Sequence, residues 1–228
     1  VIGASLIIAI AASALGSINI MSFSIRNIIC IFVVLYLGWR NGILVGAVAN
    51  ADALYDEKGE KTADLADGLT VDGCEKAAAF VAFCNDCEIP LLTVTAADGF
   101  AAVEQTEKGL PQAIAKLVKA YHDGGFNSKV NLIMGDTYGS AYVAMGARSI
   151  SDADMVFAWD DAKVGMMEAE KAANILFAAE GEKATEKQAA AYEGKQNAVT
   201  SAAARGSVDA VIAPAQTRKH LIMAFSML

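Results

Sequence analysis

Charge is distributed unevenly along this 228-residue chain. The first fifty residues contain two charged side chains, Arg26 and Arg40, and no acidic residue, and the stretch from position 1 to position 25 carries no charge. All 26 acidic residues and all the other basic residues lie in the remainder. We therefore expect two parts, an apolar head (residues 1–40) and an acidic body (residues 41–228).

The apolar head permits three interpretations. An uncharged stretch of 25 residues can span a bilayer. Its small residues, as in GASLIIAIAASALGS, are common where transmembrane helices pack. A buried core segment and a stretch foreign to the rest of the chain are the alternatives. A secretory signal fits less well, because no basic segment precedes the apolar run.

Composition excludes several classes of protein. Apolar residues make up 55% of the chain and charged residues 19%, and the formal net charge is −8. These values argue against a disordered chain and against a basic nucleic-acid binder. Four cysteines are too few for a disulfide scaffold, so a reducing cytoplasm is the expected location. Two histidines make a His-rich metal site improbable, and we expect no metal in this chain.

Short apolar runs alternate with amphipathic segments along the acidic body. The runs at 44–49, 91–95, 130–134, 155–158 and 208–212 have the length and composition of buried strands. The segments between them have helical periodicity, with Asp72 expected to cap the first helix and Pro111 expected to begin the second. Residues 186–204 predict one further helix. This alternation predicts an α/β fold with a largely parallel sheet.

The most informative turn is Tyr138-Gly139-Ser140-Ala141, where a buried strand runs into a helix through small residues. The first backbone N–H groups of a helix have no partner inside it. Small side chains let a ligand oxygen approach these donors, and such donors can stabilise an oxyanion. Close packing of the helix against the sheet explains the same small residues equally well.

A second turn, Asp98-Gly99-Phe100, follows the run at 91–95. Ligands of open α/β sheets collect at the carboxyl ends of the strands, so both turns can border one crevice. For Asp98, a solvated turn residue is favoured over a catalytic acid. For the pair Cys84-x-x-Cys87, a structural role is favoured over a redox one, because the pair lies at the end of its helix.

From about residue 41 to the end, the chain resembles the C-terminal half of the carboxyltransferase subunits of biotin-dependent acyl-CoA carboxylases and decarboxylases. The matching stretches are NGILVGAVAN, DGCEKAAAFVAFCNDCEIPLLTVTAADGF, YGSAYVAM, DMVFAWDDAKVGMM and AAARGSVDAVIAPAQTR. Residues 1–40 resemble nothing in that family. The resemblance implies a crotonase-like spiral of ββα units and carboxyl transfer between N1 of biotin and the α-carbon of an acyl-CoA.

The resemblance also implies roles for individual residues. Backbone N–H groups of Ser140 and Ala141 hold the biotin ureido oxygen as it becomes enolate-like. Tyr138 and Gly139 belong to the same turn, and the other turn contributes Gly99 and Phe100 to the pocket. Biotin itself serves as the base, so neither a catalytic histidine nor a metal is needed. Two departures from the family are Asp98 for a proline and Ser140 for a glycine, and backbone donors tolerate the second.

The family's CoA-binding N-terminal half has no counterpart in this chain. The expected partners are therefore a biotin carboxyl carrier protein and a CoA-binding chain, within a homo- or hetero-oligomer that binds no nucleic acid. Two alternatives remain, a membrane-anchored assembly subunit without catalysis and a crotonase-type hydratase. The hydratase is disfavoured because no glutamate pair at strand ends is evident. The acyl-CoA and the direction of transfer stay open.

Overall fold

This computed structural model describes residues 19–20, 23–24, 44–50, 53–55, 61–64, 68–102, 104–123, 127–177 and 185–228. The chain divides into two units, Val1–Leu44 and Val45–Leu228. In the first unit, β1 (Asn19–Ile20) pairs antiparallel with β2 (Phe23–Ser24). Otherwise the predictions for the apolar head, including a membrane segment, lie outside the described residues. Within the described ranges, no helix has both the length and the hydropathy to cross a bilayer.

A five-stranded parallel sheet forms the centre of the second unit. Its strands are β3 (Gly46–Ala49), β6 (Leu91–Thr95), β7 (Lys129–Ile133), β9 (Met155–Trp159) and β11 (Ala210–Ile212). Their spatial order is β11-β9-β7-β6-β3, and every pair is parallel. Before β6, β4 (Ala53–Tyr55) and β5 (Lys61–Asp64) form a separate antiparallel pair. The predicted α/β fold with a parallel sheet is confirmed, and the carboxyl ends of its strands share one edge.

Helices connect these strands. They are α1 (Val71–Asp86), α2 (Glu104–His122), α3 (Gly139–Ala144), α4 (Arg148–Ser151), α5 (Ala169–Phe177), α6 (Glu186–Tyr192), α7 (Val199–Ala204) and α8 (Thr217–Met227). A π-helix (Glu193–Asn197) separates α6 from α7, and a 3₁₀ turn (Pro214–Gln216) precedes α8. The single helix expected over 186–204 is therefore broken into three pieces.

A second, smaller layer of extended backbone lies beyond the ends of the central strands. β8 (Thr137–Tyr138) follows β7, β10 (Val164–Gly165) follows β9, and the two pair in parallel. Leu69 and Phe100 form a further parallel bridge. A long strand, a short strand and a helix thus follow one another in β7-β8-α3 and again in β9-β10-α5. The residues of the proposed site belong to this layer and to the turns that leave it.

The central strand β7 is buried along its whole length and packs on both faces. Ile133 belongs to a cluster with Val156, Ala158 and Val164, and Leu132 belongs to the cluster on the opposite face. Each fully buried aliphatic side chain of this kind contributes about 1.5–3 kcal/mol. A rigid sheet therefore supports the turns at its carboxyl edge.

Two buried polar side chains fix the connection after α3. Thr95 Oγ1 donates to Asn131 Oδ1 at 3.1 Å, and Asn131 Nδ2 donates to the Gly146 carbonyl at 2.8 Å. Both side chains lie in central strands and are buried. This chain of bonds holds the end of α3 over the sheet, because a buried amide left without its partners is costly.

Two predicted helix starts were wrong. Thr70, not Asp72, caps α1, and its Oγ1 accepts from the Gly73 amide at 3.1 Å. Pro111 lies inside α2, which begins at Glu104. Pro111 is exposed, and α2 continues through it although proline cannot donate a backbone hydrogen bond.

Candidate active site

The turn from β8 into α3 is fastened on both sides. On one side, the Thr137 amide donates to the Lys163 carbonyl at 2.8 Å, as part of the β8–β10 pairing. On the other, the Tyr138 amide donates to the Ala97 carbonyl at 2.9 Å, and the Ala97 amide donates to Thr137 Oγ1 at 3.1 Å. Thr137 is fully buried. The turn at residues 138–141 is therefore placed by the ends of two neighbouring strand segments.

Gly139 begins α3 in the left-handed region, with φ at +54°. A Cβ at this position would lie 2.9 Å from the Met166 carbonyl oxygen. Glycine is thus required both by the backbone conformation and by the close approach of the chain that follows β10. The turn and the residues after β10 are in direct contact.

The backbone amides of Ser140 and Ala141 are the donors that the sequence singles out. Tyr138, at the N-cap of α3, offers them no side-chain acceptor. In the described ranges, no carbonyl outside α3 accepts from either amide. Ser140 is exposed, whereas Ala141 is only 1% exposed. Because α3 has six residues, its dipole is short, and the two N–H groups themselves are what this turn offers to a ligand.

All six residues singled out as site residues line one cavity of about 330 Å³: Tyr138, Gly139, Ser140, Ala141, Gly99 and Phe100. Gly99 and Phe100 come from the turn after β6, where the Leu69 amide donates to the Gly99 carbonyl at 3.0 Å. Asp98 also lines the cavity and is exposed, as a solvated turn residue would be. The structure thus brings together two turns that lie about forty residues apart in the sequence.

The third wall of the cavity comes from the segment between β10 and α5, which the sequence analysis missed. Its lining residues are Met166, Met167 and Glu168, and Lys171 in the first turn of α5 extends the same wall. The rule that ligands collect at the carboxyl ends of parallel strands could have identified this segment, since it follows β9 and β10. Its side chains carry no motif of their own.

Charges around the cavity are largely paired. Lys171 Nζ lies 2.8 Å from Glu168 Oε2, and Asp136 Oδ2 lies 3.9 Å from Lys163 Nζ. The hydrogen bond and charge of Glu168 raise the pKa of Lys171. Of the described residues that line the cavity, Lys171 is the one cation, and it already has an anionic partner. The lining therefore offers little free positive charge.

Tyr138 contributes a neutral hydroxyl. Its OH donates to Asp136 Oδ2 at 3.3 Å. Burial, and after it the neighbouring Asp136 carboxylate, raises the pKa of Tyr138 well above the usual value. Tyr138 is therefore protonated at neutral pH, and its one hydroxyl proton is donated to Asp136.

Cysteine, histidine and acidic side chains do not form a metal site in the described part of the chain. No group of three or more of them is placed to hold a metal ion there. Cys74, Cys84 and Cys87 are free thiols, and the first two are buried. Burial, followed by the charge of Cys87, raises the pKa of Cys84 to about 11, so this thiol is not activated.

The carboxyl transferase domain family matches residues 32–228, so the match begins within the apolar head. The methylmalonyl-CoA carboxyltransferase 12S subunit of Propionibacterium freudenreichii subsp. shermanii is 36% identical over 194 residues, which cover 82% of this chain and 35% of that protein. The methylmalonyl-CoA decarboxylase subunit alpha of Propionigenium modestum is 34% identical over 195 residues, which again cover 82% of this chain and 35% of that protein. This chain spans about a third of the length of the curated relatives it matches.

A solved structure shows the same fold. A crystal structure of transcarboxylase 12S, described as a hexamer assembly with methylmalonyl-coenzyme A and methylmalonic acid bound, matches 70% of this chain and 31% of its own. The TM-score is 0.66 and the sequence identity 36%. The resemblance predicted from the sequence is therefore confirmed.

Proposed function

Because this chain belongs to the carboxyl transferase domain family, we propose that it is the biotin-side half of a carboxyltransferase that moves a carboxyl group between biotin and an acyl-CoA. The observation that carries the proposal is the convergence of two separate turns, with two free backbone amides, on one cavity. The relatives, named as carboxyltransferase and decarboxylase subunits, support the same class of reaction.

The cavity fits the head group of biotin better than it fits a whole CoA. Its volume of about 330 Å³ is at the lower end of the range for small-molecule sites, roughly 300–1,000 Å³. Its donors are neutral N–H groups, which suit the carbonyl-like oxygen of a ureido ring. The diphosphate of CoA would need free cations, and Lys171 is held by Glu168.

Carboxylated biotin would supply the carboxyl group that is transferred. The Ser140 and Ala141 amides would hold the ureido oxygen of biotin, because two N–H donors stabilise negative charge on such an oxygen. Each such donor is worth about 3 kcal/mol in the transition state. Phe100 and Met167 contribute apolar side chains to the lining of the cavity. Gly139 allows the left-handed backbone with which this turn begins, next to the Met166 carbonyl.

The remaining functions belong to partners. We propose that a biotin carboxyl carrier protein delivers the cofactor and that a CoA-binding chain completes the site within an oligomer. The hexamer described for transcarboxylase 12S supports an oligomeric arrangement. In this proposal the body is part of a crotonase-like spiral and works in the cytoplasm. The relatives are named as enzyme subunits and offer no support for a non-catalytic, membrane-anchored subunit.

The test uses the full chain captured from its cells with its companions, which mass spectrometry then identifies. Ala141→Pro removes one donor N–H, so transfer of labelled carboxyl from a panel of carboxylated acyl-CoA esters to biotin should fall at least about 100-fold. Ser140→Ala keeps both amides and should retain transfer. Circular dichroism and the midpoint of thermal unfolding verify that each variant is folded.

Wild-type rates in folded Ala141→Pro would refute the assignment of the amides. Companions that include neither a biotinylated carrier nor a CoA-binding subunit would refute the class of reaction.

A further inference from the structure

Asn197 is a fully buried polar residue at the last position of the π-helix. Its Nδ2 donates to the Met167 carbonyl at 2.9 Å. Its Oδ1 accepts no hydrogen bond from the described residues. That oxygen lies against Gly165, where an added Cβ would come within 2.1 Å of it. The carboxamide is therefore wedged between the end of β10 and the segment that follows it.

The orientation of this carboxamide follows from its neighbours. A carbonyl oxygen, here that of Met167, can pair only with the NH₂ end, so the oxygen end must face Gly165. A buried carbonyl without a hydrogen-bond donor costs folding free energy. A buried polar group that has no partner in the protein therefore calls for an explanation.

What Asn197 holds is the third wall of the cavity. Met167 lines the cavity, and the carbonyl of Met166 lies 2.9 Å from the position of an added Cβ on Gly139. Tyr138 and Gly165 are also partners in the β8–β10 pairing. A shift of the segment after β10 is therefore transmitted directly to the turn that carries the Ser140 and Ala141 amides.

The π-helix and its contacts place the Asn197 side chain against β10. The helix that begins with α6 widens into the π-helix Glu193–Asn197, and such bulges are often found at functional sites. Lys163, just before β10, forms an ion pair with Glu193 at 3.2 Å and a bridge with Ala198. The π-helix is thus fastened to β10 on both sides of Asn197.

We propose that Asn197 is a positioning residue: through the Met167 carbonyl it fixes the segment after β10 and thereby the donor amides of the turn at Gly139–Ala141. Its role in catalysis rests on the proposed function. Asn197 is not among the described residues that line the cavity. Displacements on the order of 1 Å at such a site lower rates and affinities by tenfold or more.

Amide hydrogen exchange of the ligand-free full chain tests the geometry, and the affinity for free biotin tests its consequence. The amides of Thr137 and Tyr138 are hydrogen-bonded to the Lys163 and Ala97 carbonyls, so their exchange reports on the placement of the turn. In Asn197→Leu we expect exchange at Thr137 and Tyr138 to rise at least tenfold and biotin affinity to fall about tenfold. Gly165→Ala should do the same, because the added methyl group displaces the carboxamide. If Asn197→Leu does not fold, Gly165→Ala is compared with the wild-type chain in its place.

The matched control is Asn127→Leu. Asn127 Nδ2 also donates to a backbone carbonyl, that of Ile89 at 2.6 Å, but near the opposite end of β7. Asn127→Leu should lower the unfolding midpoint without changing exchange at Thr137 and Tyr138. Wild-type exchange there in both Asn197→Leu and Gly165→Ala, or an equal effect of Asn127→Leu, would overturn the inference. If wild type does not bind biotin, the proposed function fails, while the exchange result still decides the role of Asn197.

Discussion

Gly139 is the residue on which the geometry of the turn depends. Its positive φ and the nearby Met166 carbonyl each disfavour any side chain. Gly139→Ala should lower the free energy of unfolding by about 1–3 kcal/mol, because a strained backbone residue costs that much. Urea unfolding measures this directly. Gly194→Ala is the control, since a Cβ there meets no atom within 4 Å, and it should be neutral or slightly stabilising.

A Gly139→Ala variant as stable as Gly194→Ala would mean that the turn adapts freely. The close contact with Met166 would then not position the amides.

The sequence indicated some residues of the cavity, but it indicated neither Met167 nor Asn197, which holds Met167 from behind. Ser140 and Ala141 follow a buried strand in a run of small residues, which is a local pattern, and the resemblance pointed to the same turn. Met167 and Asn197 carry no local pattern, because their importance arises from a contact between residues thirty positions apart. The break in the helix at Asn197 could not be predicted either, since 186–204 has continuous helical composition.

The position of helix α1 was predicted correctly, but the side of the helix that is buried was predicted only in part. The spacing of Ala77, Phe80, Val81 and Cys84, at i, i+3, i+4 and i+7, predicts that these four side chains are buried. In the structure, Cys74 and Ala78 are buried instead of the first two. Phe80 is 38% exposed. Apolar spacing alone allows neighbouring stripes on an alanine-rich helix, and packing against the sheet selects one of them. Cys84 belongs to the selected stripe, with Sγ close to Gly46.

Selective alkylation tests the structural role of the cysteine pair on α1. At pH 8, iodoacetamide should modify exposed Cys87 well before Cys84, which is buried and has a pKa raised to about 11. Burial favours the neutral thiol, so folding should lose stability from Cys84 as the pH rises from about 9 towards 11. Peptide mass mapping follows both sites. Equal rates, or a Cys84–Cys87 disulfide under mild oxidation, would contradict this role.

At the scale of the whole molecule, strand and helix alternation sufficed to predict an α/β body with a parallel sheet. The order β11-β9-β7-β6-β3 was beyond such a prediction, because strand neighbours are set by long-range packing. The small β8–β10 layer was missed because two-residue strands leave no periodic signal. The boundary at residue 41 and the role of residues 1–40 stay predictions, although the family match already begins at residue 32.

The central claim of the proposed function is that this chain binds biotin through two backbone amides and that a partner chain binds the acyl-CoA. The most direct measurement follows the backbone ¹H–¹⁵N signals of the full chain during titration with free biotin and, separately, with an acyl-CoA. We predict saturable shifts of the Ser140 and Ala141 amides with biotin and none with the acyl-CoA. Unmoved Ser140 and Ala141 signals at saturating biotin would contradict the claim.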